Sequence, residues 1–144
     1  MRISARTQYA LRAAAELAAA SPGPLPADKI AEAQGIPRRF LDNILLQLRR
    51  AGLLRSRRGP DGGYWLARAP DQISLADIVR IVEGVPEGGD HGGFPGVAGP
   101  LADVWDALRD HEQALLSDVT LADITRRSAP LAPPAAATPG SPRP

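Results

Sequence analysis

Four side chains able to contact DNA bases occur within a short stretch of the chain: Arg38, Arg39, Asp42 and Asn43. Arginine can pair with the two acceptors of guanine, asparagine suits adenine, and aspartate accepts a hydrogen bond from cytosine. Apolar residues at steps of three and four predict a helix over residues 37–52 with one buried side: Phe40, Leu41, Ile44, Leu45 and Leu48. The four polar residues, with Gln47, fall off that side. They form either a base-contacting surface or the solvated face of an ordinary amphipathic helix.

A short hairpin is predicted directly after this helix. Residues 53–56 and 64–67 have the composition of strands, and the turn at 60–63 supplies a proline with a preset negative φ and then glycines that can take positive φ. Such a loop projects Arg57 and Arg58 outward. Arginine at a projecting tip can enter a minor groove, where narrowing enhances the negative potential. The alternative is a solvated surface turn.

The segments before the helix at residues 37–52 predict the supporting helices of a DNA-binding motif. Residues 26–35 predict a short helix closed by Gly35, and Pro37 can start the next helix at its first turn. Two helices joined by a tight glycine-containing turn, with polar residues near the start of the second, form the helix-turn-helix arrangement. A first helix is predicted over residues 4–20, with Ser4 as its N-cap.

Charge is distributed unevenly along the 144 residues. Residues 1–70 contain 12 Lys or Arg against 5 Asp or Glu, and residues 71–144 contain 5 against 11, although the net charge is only +1. A basic front half fits contact with phosphates, and an acidic rear half would be held away from them. The charge pattern therefore favours DNA as the partner of the front half.

The rear half begins with a helix and contains two segments without periodic pattern. Residues 74–82 predict a structural helix whose start is capped by Ser74 and Asp77. Residues 85–100 contain six Gly and three Pro, which predicts a mobile loop with no regular element. Residues 129–144 contain six Pro, which predicts an extended, disordered tail.

A long helix is predicted over residues 100–116, and a short closing helix over 119–127. The apolar residues of the long helix fall along one face: Leu101, Val104, Trp105, Leu108, Leu115 and Leu116. The opposite side carries Asp103, Asp106, Arg109 and Asp110, and either His111 or Glu112 would lie near the seam. We favour burial of the apolar face against the same helix of a second subunit, with Trp105 as an anchor. The alternative is packing within the chain's own core.

Several function classes have little support. The sequence lacks a run of 18 apolar residues and a cleavable leader, so we expect no membrane association and a cytoplasmic protein. It has no cysteine, which excludes thiol redox chemistry. Glu83, Glu87, Asp90 and His91 make only a weak metal-binding group, for which a solvated loop is the better interpretation. Nothing resembles a P-loop, a nucleophile elbow or paired catalytic carboxylates, so we expect no enzyme, catalytic residue or cofactor.

Five segments form a recognisable combination: MRISARTQYALRA at 1–13, IPRRFLD at 36–42, LRRAGL at 48–53, RGPDGGYWLAR at 58–68, and SLADI through VEG at 74–84. Together they resemble the Rrf2 family of bacterial transcription regulators over about residues 1–128. The most specific part is the RGPxGGY wing followed by the SLADI helix. The resemblance implies a homodimeric winged-helix repressor or activator with an operator-binding domain and one long dimerisation helix.

The resemblance also implies roles for individual residues. The start of the family's first helix commonly faces the DNA backbone, so Ser4, Thr7 and Tyr9 could bond phosphates, although Tyr9 could equally be core packing. Positions matching the family's base-contacting pattern are Arg39, Phe40 and Asp42. Arg58 matches the family's wing arginine. The family's loop often carries three cysteines for an iron-sulfur cluster, which this chain lacks, so a cluster of that type cannot assemble. The family's closing helix packs on the dimer.

We therefore expect a mainly α fold with a small β-hairpin wing. Its parts are a winged helix-turn-helix domain in residues 1–84, a Gly/Pro-rich loop in 85–100, a dimerisation helix and closing helix in 101–128, and a tail in 129–144. The expected function is a dimeric, sequence-specific DNA-binding transcriptional regulator, acting as a repressor on a near-palindromic double-stranded operator. An alternative is a protein-interaction regulator whose DNA binding depends on a partner protein docking on the acidic rear half. A small-molecule effector is also left open.

Overall fold

A computed structural model of the protein describes residues 3–84 and 93–127. The helices in these ranges are α1 (Ala5–Ala20), α2 (Ala27–Gln34), α3 (Arg38–Arg50), α4 (Leu75–Glu83), α5 (Leu101–Asp118) and α6 (Leu121–Arg126). Strands β1 (Leu54–Arg57) and β2 (Gly63–Leu66) form an antiparallel hairpin. The expected fold class, mainly α with a hairpin wing, is confirmed. None of these helices is both long enough and apolar enough to cross a bilayer.

The hydrophobic core is built around α1, which contacts α2, α3, α4 and α6. Three alanines of α1 are fully buried, so neighbouring helices can approach its backbone closely: Ala10, Ala13 and Ala14. Larger side chains from the helices around it fill the remaining space: Ile30, Leu41, Ile44, Leu45, Leu48 and Ile78. Burying such side chains stabilises a fold by about 1.5–3 kcal/mol each. This core fixes the position of α3 and therefore of its outward face.

The turn between α2 and α3 requires a glycine. Gly35 ends α2 in the left-handed conformation with φ of 63°, and its N–H donates to the carbonyl of Ala31. An L-residue with a side chain rarely adopts that conformation. Arg12 of α1 holds the same turn, because its guanidinium donates to the side chain and to the carbonyl of Gln34. The helix-turn-helix predicted over residues 26–52 is thus present, with helix ends within two residues of those expected.

The hairpin is anchored to the helices through its second strand. Leu25, just before α2, pairs with Tyr64 through N–H to O hydrogen bonds of 2.8 and 2.9 Å. Gly63 makes this pairing possible, since a Cβ there would lie 2.6 Å from the backbone carbon of Leu25. Leu25, which lies between α1 and α2, therefore forms a single antiparallel bridge beside β2.

The turn chemistry differs in detail from the expectation. Positive φ occurs at Gly59 and Gly63, not at Gly62. Gly62 is needed for space instead, because a Cβ there would lie 2.0 Å from the carbonyl oxygen of Arg57. The strands pair from Leu54 with Leu66 to Arg57 with Gly63, one residue away from the predicted boundaries.

The end of the chain folds back on its beginning. Capping boxes start both α4 and α6, and the first of them, Ser74 with Asp77, was predicted. The backbone N–H of Leu121 donates to the carbonyl of Ile73 at 2.9 Å, and the Leu121 side chain is fully buried in the core around α1. Leu121 therefore packs within its own subunit, and the expectation that the closing helix packs on a dimer stays a prediction. In the second box, the hydrogen bond from the Thr120 backbone lowers the pKa of Asp123.

Two predicted segments fall wholly or partly beyond what is described. The tail at 129–144 and residues 85–92 of the predicted loop lie outside the described residues. The rest of that loop contains a single 3-10 turn at Gly96–Ala98, where no regular element was expected.

Candidate nucleic-acid interface

The outward face of α3 carries the four polar residues singled out in the sequence. Arg38, Arg39, Asp42 and Asn43 are all exposed, whereas Leu41 and the other aliphatic residues of the predicted stripe are fully buried. The division of α3 into a buried and an exposed side follows its periodicity. The start of α3 therefore presents donors and acceptors to the exterior.

Arg38 is held in place by two carboxylates. Its guanidinium donates to Asp42 one turn later on α3, at 3.1 Å, and also to Asp28 on α2. Exposed ion pairs of this kind add little to stability. Their effect here is to fix where the guanidinium lies.

Phe40 is the one member of the predicted apolar stripe that is not buried. Its side chain lies at the surface with 44% exposure, so the prediction of a buried Phe40 is wrong. The ring is flanked by Tyr9 of α1, at 6.1 Å between centroids, and by the Arg39 guanidinium, at 5.6 Å from the Phe40 centroid. Tyr9 in turn packs against the core and lies under the Arg12 guanidinium. Phe40 thus belongs to the exposed face of α3.

The start of α1 contributes less surface than expected. Ser4 is exposed and caps the helix by accepting from the Thr7 backbone N–H at 3.1 Å. Thr7 is fully buried, and its hydroxyl donates to Glu83 at the end of α4. A phosphate cannot reach a side chain in that position, so Thr7 is removed from the set of predicted backbone contacts. Ser4 and the half-buried Tyr9 remain accessible.

Gln47 also has an internal role. Its side-chain amide donates to the carbonyl of Ile81 at 2.9 Å, and its oxygen accepts from Arg6 at 2.5 Å. These contacts link α1, α3 and α4. Gln47 is therefore a structural bridge, although its position off the apolar stripe had grouped it with the base-contacting types.

The tip of the hairpin exposes both predicted arginines. Arg57 donates across the turn to the carbonyl of Asp61 at 3.2 Å, while Arg58 lies at the exposed tip beside Gly59. Arg49, near the end of α3, donates to Ser56 of β1 at 3.4 Å and ties the hairpin to the helix. Exposed Arg55 on β1 adds a further cation that the sequence analysis did not single out. Its alternation with buried Leu54 was the pattern that could have identified it.

A second exposed surface lies on α5, and it is apolar. Its members are Leu101, Val104, Trp105, Leu108 and Leu115, each between 42% and 56% exposed. On the side towards α4, the half-buried residues are mainly polar and include Arg109 and Gln113. Leu116 lies on this inner side and not with the other leucines, which corrects its predicted place in the stripe. We refer to the five exposed residues as the α5 apolar face.

His111 lies along the edge of the α5 apolar face. It lines an open cleft of about 190 Å³ with Val104, Ala107 and Leu108, and its Nδ1 is 2.8 Å from the carbonyl oxygen of Ala107. Glu112 is half-buried on the α4 side. Glu112 also lines a cleft with Trp105 and Leu108, so both residues expected near the seam border the apolar face. Phe94 packs edge-on against Trp105, at 6.1 Å between centroids.

The donor set for a metal is poor. The chain has no cysteine, and within residues 3–84 and 93–127 no group of three or more His, Cys, Asp or Glu could hold a metal ion. Glu87, Asp90 and His91, named above as a weak group, lie outside the described residues. An iron-sulfur cluster needs thiolates, with histidine an occasional substitute, so the residues present do not fit such a cluster.

Comparison with known proteins agrees with the winged-helix fold described above. The family model named Rrf2, an iron-dependent transcriptional regulator, matches residues 3–127. A Mycobacterium tuberculosis protein described as an HTH-type transcriptional regulator, Rv1287, is 43% identical over 136 residues, which is 90% of this chain and 84% of that protein. Two solved structures are similar over almost their whole length. CymR, the global cysteine regulator of B. subtilis, has a TM-score of 0.78 and 30% identity over 90% of this chain and 99% of its own. IscR of T. potens has a TM-score of 0.75 and 31% identity over 95% and 96%.

Proposed function

This chain belongs to the Rrf2 family of DNA-binding transcriptional regulators, and we propose that it acts as a homodimeric repressor on a near-palindromic operator. Each subunit places the start of α3 in a major groove and the tip of the hairpin in the adjacent minor groove. The related proteins are transcriptional regulators, not enzymes, and we infer no catalytic role.

The observation that carries the proposal is the shared exposure of two predicted contact sets. Arg38, Arg39, Asp42 and Asn43 are exposed at the start of α3, and Arg57 and Arg58 are exposed at the hairpin tip. Arg49 of α3 contacts Ser56 of β1 at 3.4 Å, so the hairpin lies beside the end of α3. In winged-helix geometry the helix contacts base edges while basic side chains beside it contact phosphates or a minor groove.

Dimerisation is supported by the α5 apolar face. A single subunit leaves the five apolar side chains of this face about half exposed, and a contiguous apolar surface of that kind is typical of a protein-protein interface. A two-fold axis through α5 would make the interface self-complementary. It would also present two α3 helices to one duplex, which requires half-sites separated by about one or more helical turns.

We infer that regulation does not use an iron-sulfur cluster, because the donor set lacks every thiolate. Control by a small molecule, or by protein concentration alone, is consistent with a preformed contact surface. The alternative is that a partner protein docking on the acidic rear half sets the affinity for DNA.

Selection of DNA by the purified full-length protein tests the proposal. Genomic fragments and a random-sequence pool should both yield one motif with two-fold symmetry. The complex should contain two subunits per duplex, and its affinity should fall steeply with salt as phosphate contacts are screened. Placing the motif over a promoter should lower expression from that promoter in the presence of the protein. No enrichment over bulk DNA would overturn the proposal, and enrichment only after adding a cell-extract fraction would favour the partner-dependent alternative.

A further inference from the structure

Phe40 differs from the other exposed residues at the start of α3, which are polar or charged. It is an aromatic residue exposed in the first turn of α3, directly after Arg38 and Arg39 and two residues before Asp42. A single exposed apolar residue needs no explanation in general. Here Phe40 lies at the edge of the exposed side of α3, where the guanidinium of Arg39, a proposed base-contacting residue, is 5.6 Å from its ring.

The Phe40 ring has fixed neighbours on two sides. Tyr9 lies beside it with an interplanar angle of 45°, and the Arg39 guanidinium lies 5.6 Å from its centroid. Tyr9 is itself packed against the core of α1. The ring is thus braced by a core-anchored aromatic residue, while 44% of the side chain remains open to the exterior. This arrangement presents an ordered apolar group in the same turn as the arginines.

The major groove of B-DNA offers one apolar group on the base edges, the C5-methyl of thymine. Most other groups along those edges are hydrogen-bond donors and acceptors, which a phenyl ring cannot satisfy. Residues near the start of the second helix of a helix-turn-helix are the ones that meet base edges. Phe40 lies there, so the thymine methyl is the group on the base edges that best matches the exposed part of its ring.

We propose that Phe40 is a specificity-determining residue that recognises the C5-methyl group of one thymine in each operator half-site. The inference rests on the proposed function, because it needs α3 in a major groove. It goes further by assigning a base and a single functional group on that base. It also makes Tyr9 a positioning residue, because Tyr9 braces the Phe40 ring.

Replacement of thymine by deoxyuridine tests this directly, because it deletes the methyl group and keeps every hydrogen-bonding atom. In the selected operator, each thymine is replaced in turn, symmetrically in both half-sites, and affinity is measured by fluorescence anisotropy. For the wild-type protein, one position should lose about fourfold per methyl, or roughly 15-fold for the symmetric pair, from the methyl burial lost. The Phe40→Ala protein should bind the thymine and deoxyuridine operators equally at that position.

Controls separate recognition from folding. Phe40→Leu keeps an apolar contact and should keep most of the deoxyuridine sensitivity, whereas Phe40→Gln should lose it. Because Phe40 is exposed, all three variants should unfold at temperatures close to that of the wild type. If no thymine position is methyl-sensitive, or if Phe40→Ala and Phe40→Gln keep the wild-type sensitivity, this inference is overturned while the proposed function stands. If the wild type binds no sequence specifically, the proposed function itself fails.

Discussion

Two helices, α3 and α5, each leave one side uncovered, and the two sides differ in chemistry. The exposed side of α3 carries Arg, Asp and Asn with Phe40 as its exposed large apolar residue, above a fully aliphatic buried side. The α5 apolar face is the reverse, because the helix turns polar residues such as Arg109 and Gln113 towards α4. The apolar side of an amphipathic helix therefore need not pack against the core of its own subunit.

The exposed side of α3 and the α5 apolar face suit different kinds of partner. Contacts to phosphates depend on charge, so they weaken as salt rises. Removing an apolar face from water stabilises a complex by about 25 cal/mol per Å² of buried surface, and this contribution depends little on salt. We accordingly propose DNA as the partner of the α3 surface and a second copy of the chain as the partner of α5, and a separate variant tests each proposal.

The largest effect is expected from a charge placed on the α5 apolar face. Leu108→Asp would bury two carboxylates in a symmetric interface and remove two leucine contacts. The dimer dissociation constant should rise about 1,000-fold or more. Operator affinity should then fall by at least about 100-fold, since one subunit contacts only one half-site. Analytical ultracentrifugation and anisotropy titrations measure the two quantities.

Ala114→Asp is the matched control for this change. Ala114 is exposed on α5 but lies about 120° around the helix from Leu108, so it introduces the same charge outside the apolar face. It should leave both constants within about threefold of wild type. A Leu108→Asp protein that remains dimeric and binds operator normally would refute the assignment of α5 to dimerisation.

A smaller effect is expected at the hairpin tip. Arg58→Ala removes an exposed cation proposed to enter the minor groove, and it should lower operator affinity about tenfold with a shallower salt dependence. Dimerisation should not change, because Arg58 is on the hairpin and not on α5. Titrations at several salt concentrations check both the affinity and the slope.

Arg126→Ala removes the same charge from α6, outside the proposed surface, and serves as the control. Arg126 is exposed and pairs with Asp123 in its own helix. Its removal should change operator affinity less than about twofold. Equal losses for the two variants would mean that only net charge matters and that the hairpin has no specific contact.

The parts of this fold that are encoded locally were predictable from the sequence. Periodicity located α1, α3, α4 and α5, and cap residues such as Ser4, Gly35 and Ser74 marked helix ends close to the observed positions. These features depend on neighbours three or four residues away, which the sequence displays directly. The hairpin was found for the same reason.

The larger errors concern contacts between distant segments. Phe40 and Leu116 each fit the apolar periodicity of their helix. Periodicity alone does not show which residues at the border of an apolar side are covered by a neighbouring helix. Thr7 and Gln47 are polar, and only the arrival of α4 beside α1 and α3 makes them internal. Leu121 joins the core because residues 73–75 pair with 119–121, some 45 positions away.

The smallest effect on operator affinity is expected at Thr7, which lies at the border of the proposed DNA-binding surface. Thr7→Val deletes a buried hydroxyl that donates to Glu83, so the free energy of unfolding should fall by about 1 kcal/mol. Operator affinity should stay within about twofold, because no phosphate reaches this side chain, and Thr7→Ser should behave nearly like wild type. Thermal unfolding and anisotropy titrations separate the two properties. A protein of unchanged stability but fivefold weaker operator binding would return Thr7 to the contact surface and extend that surface onto the start of α1.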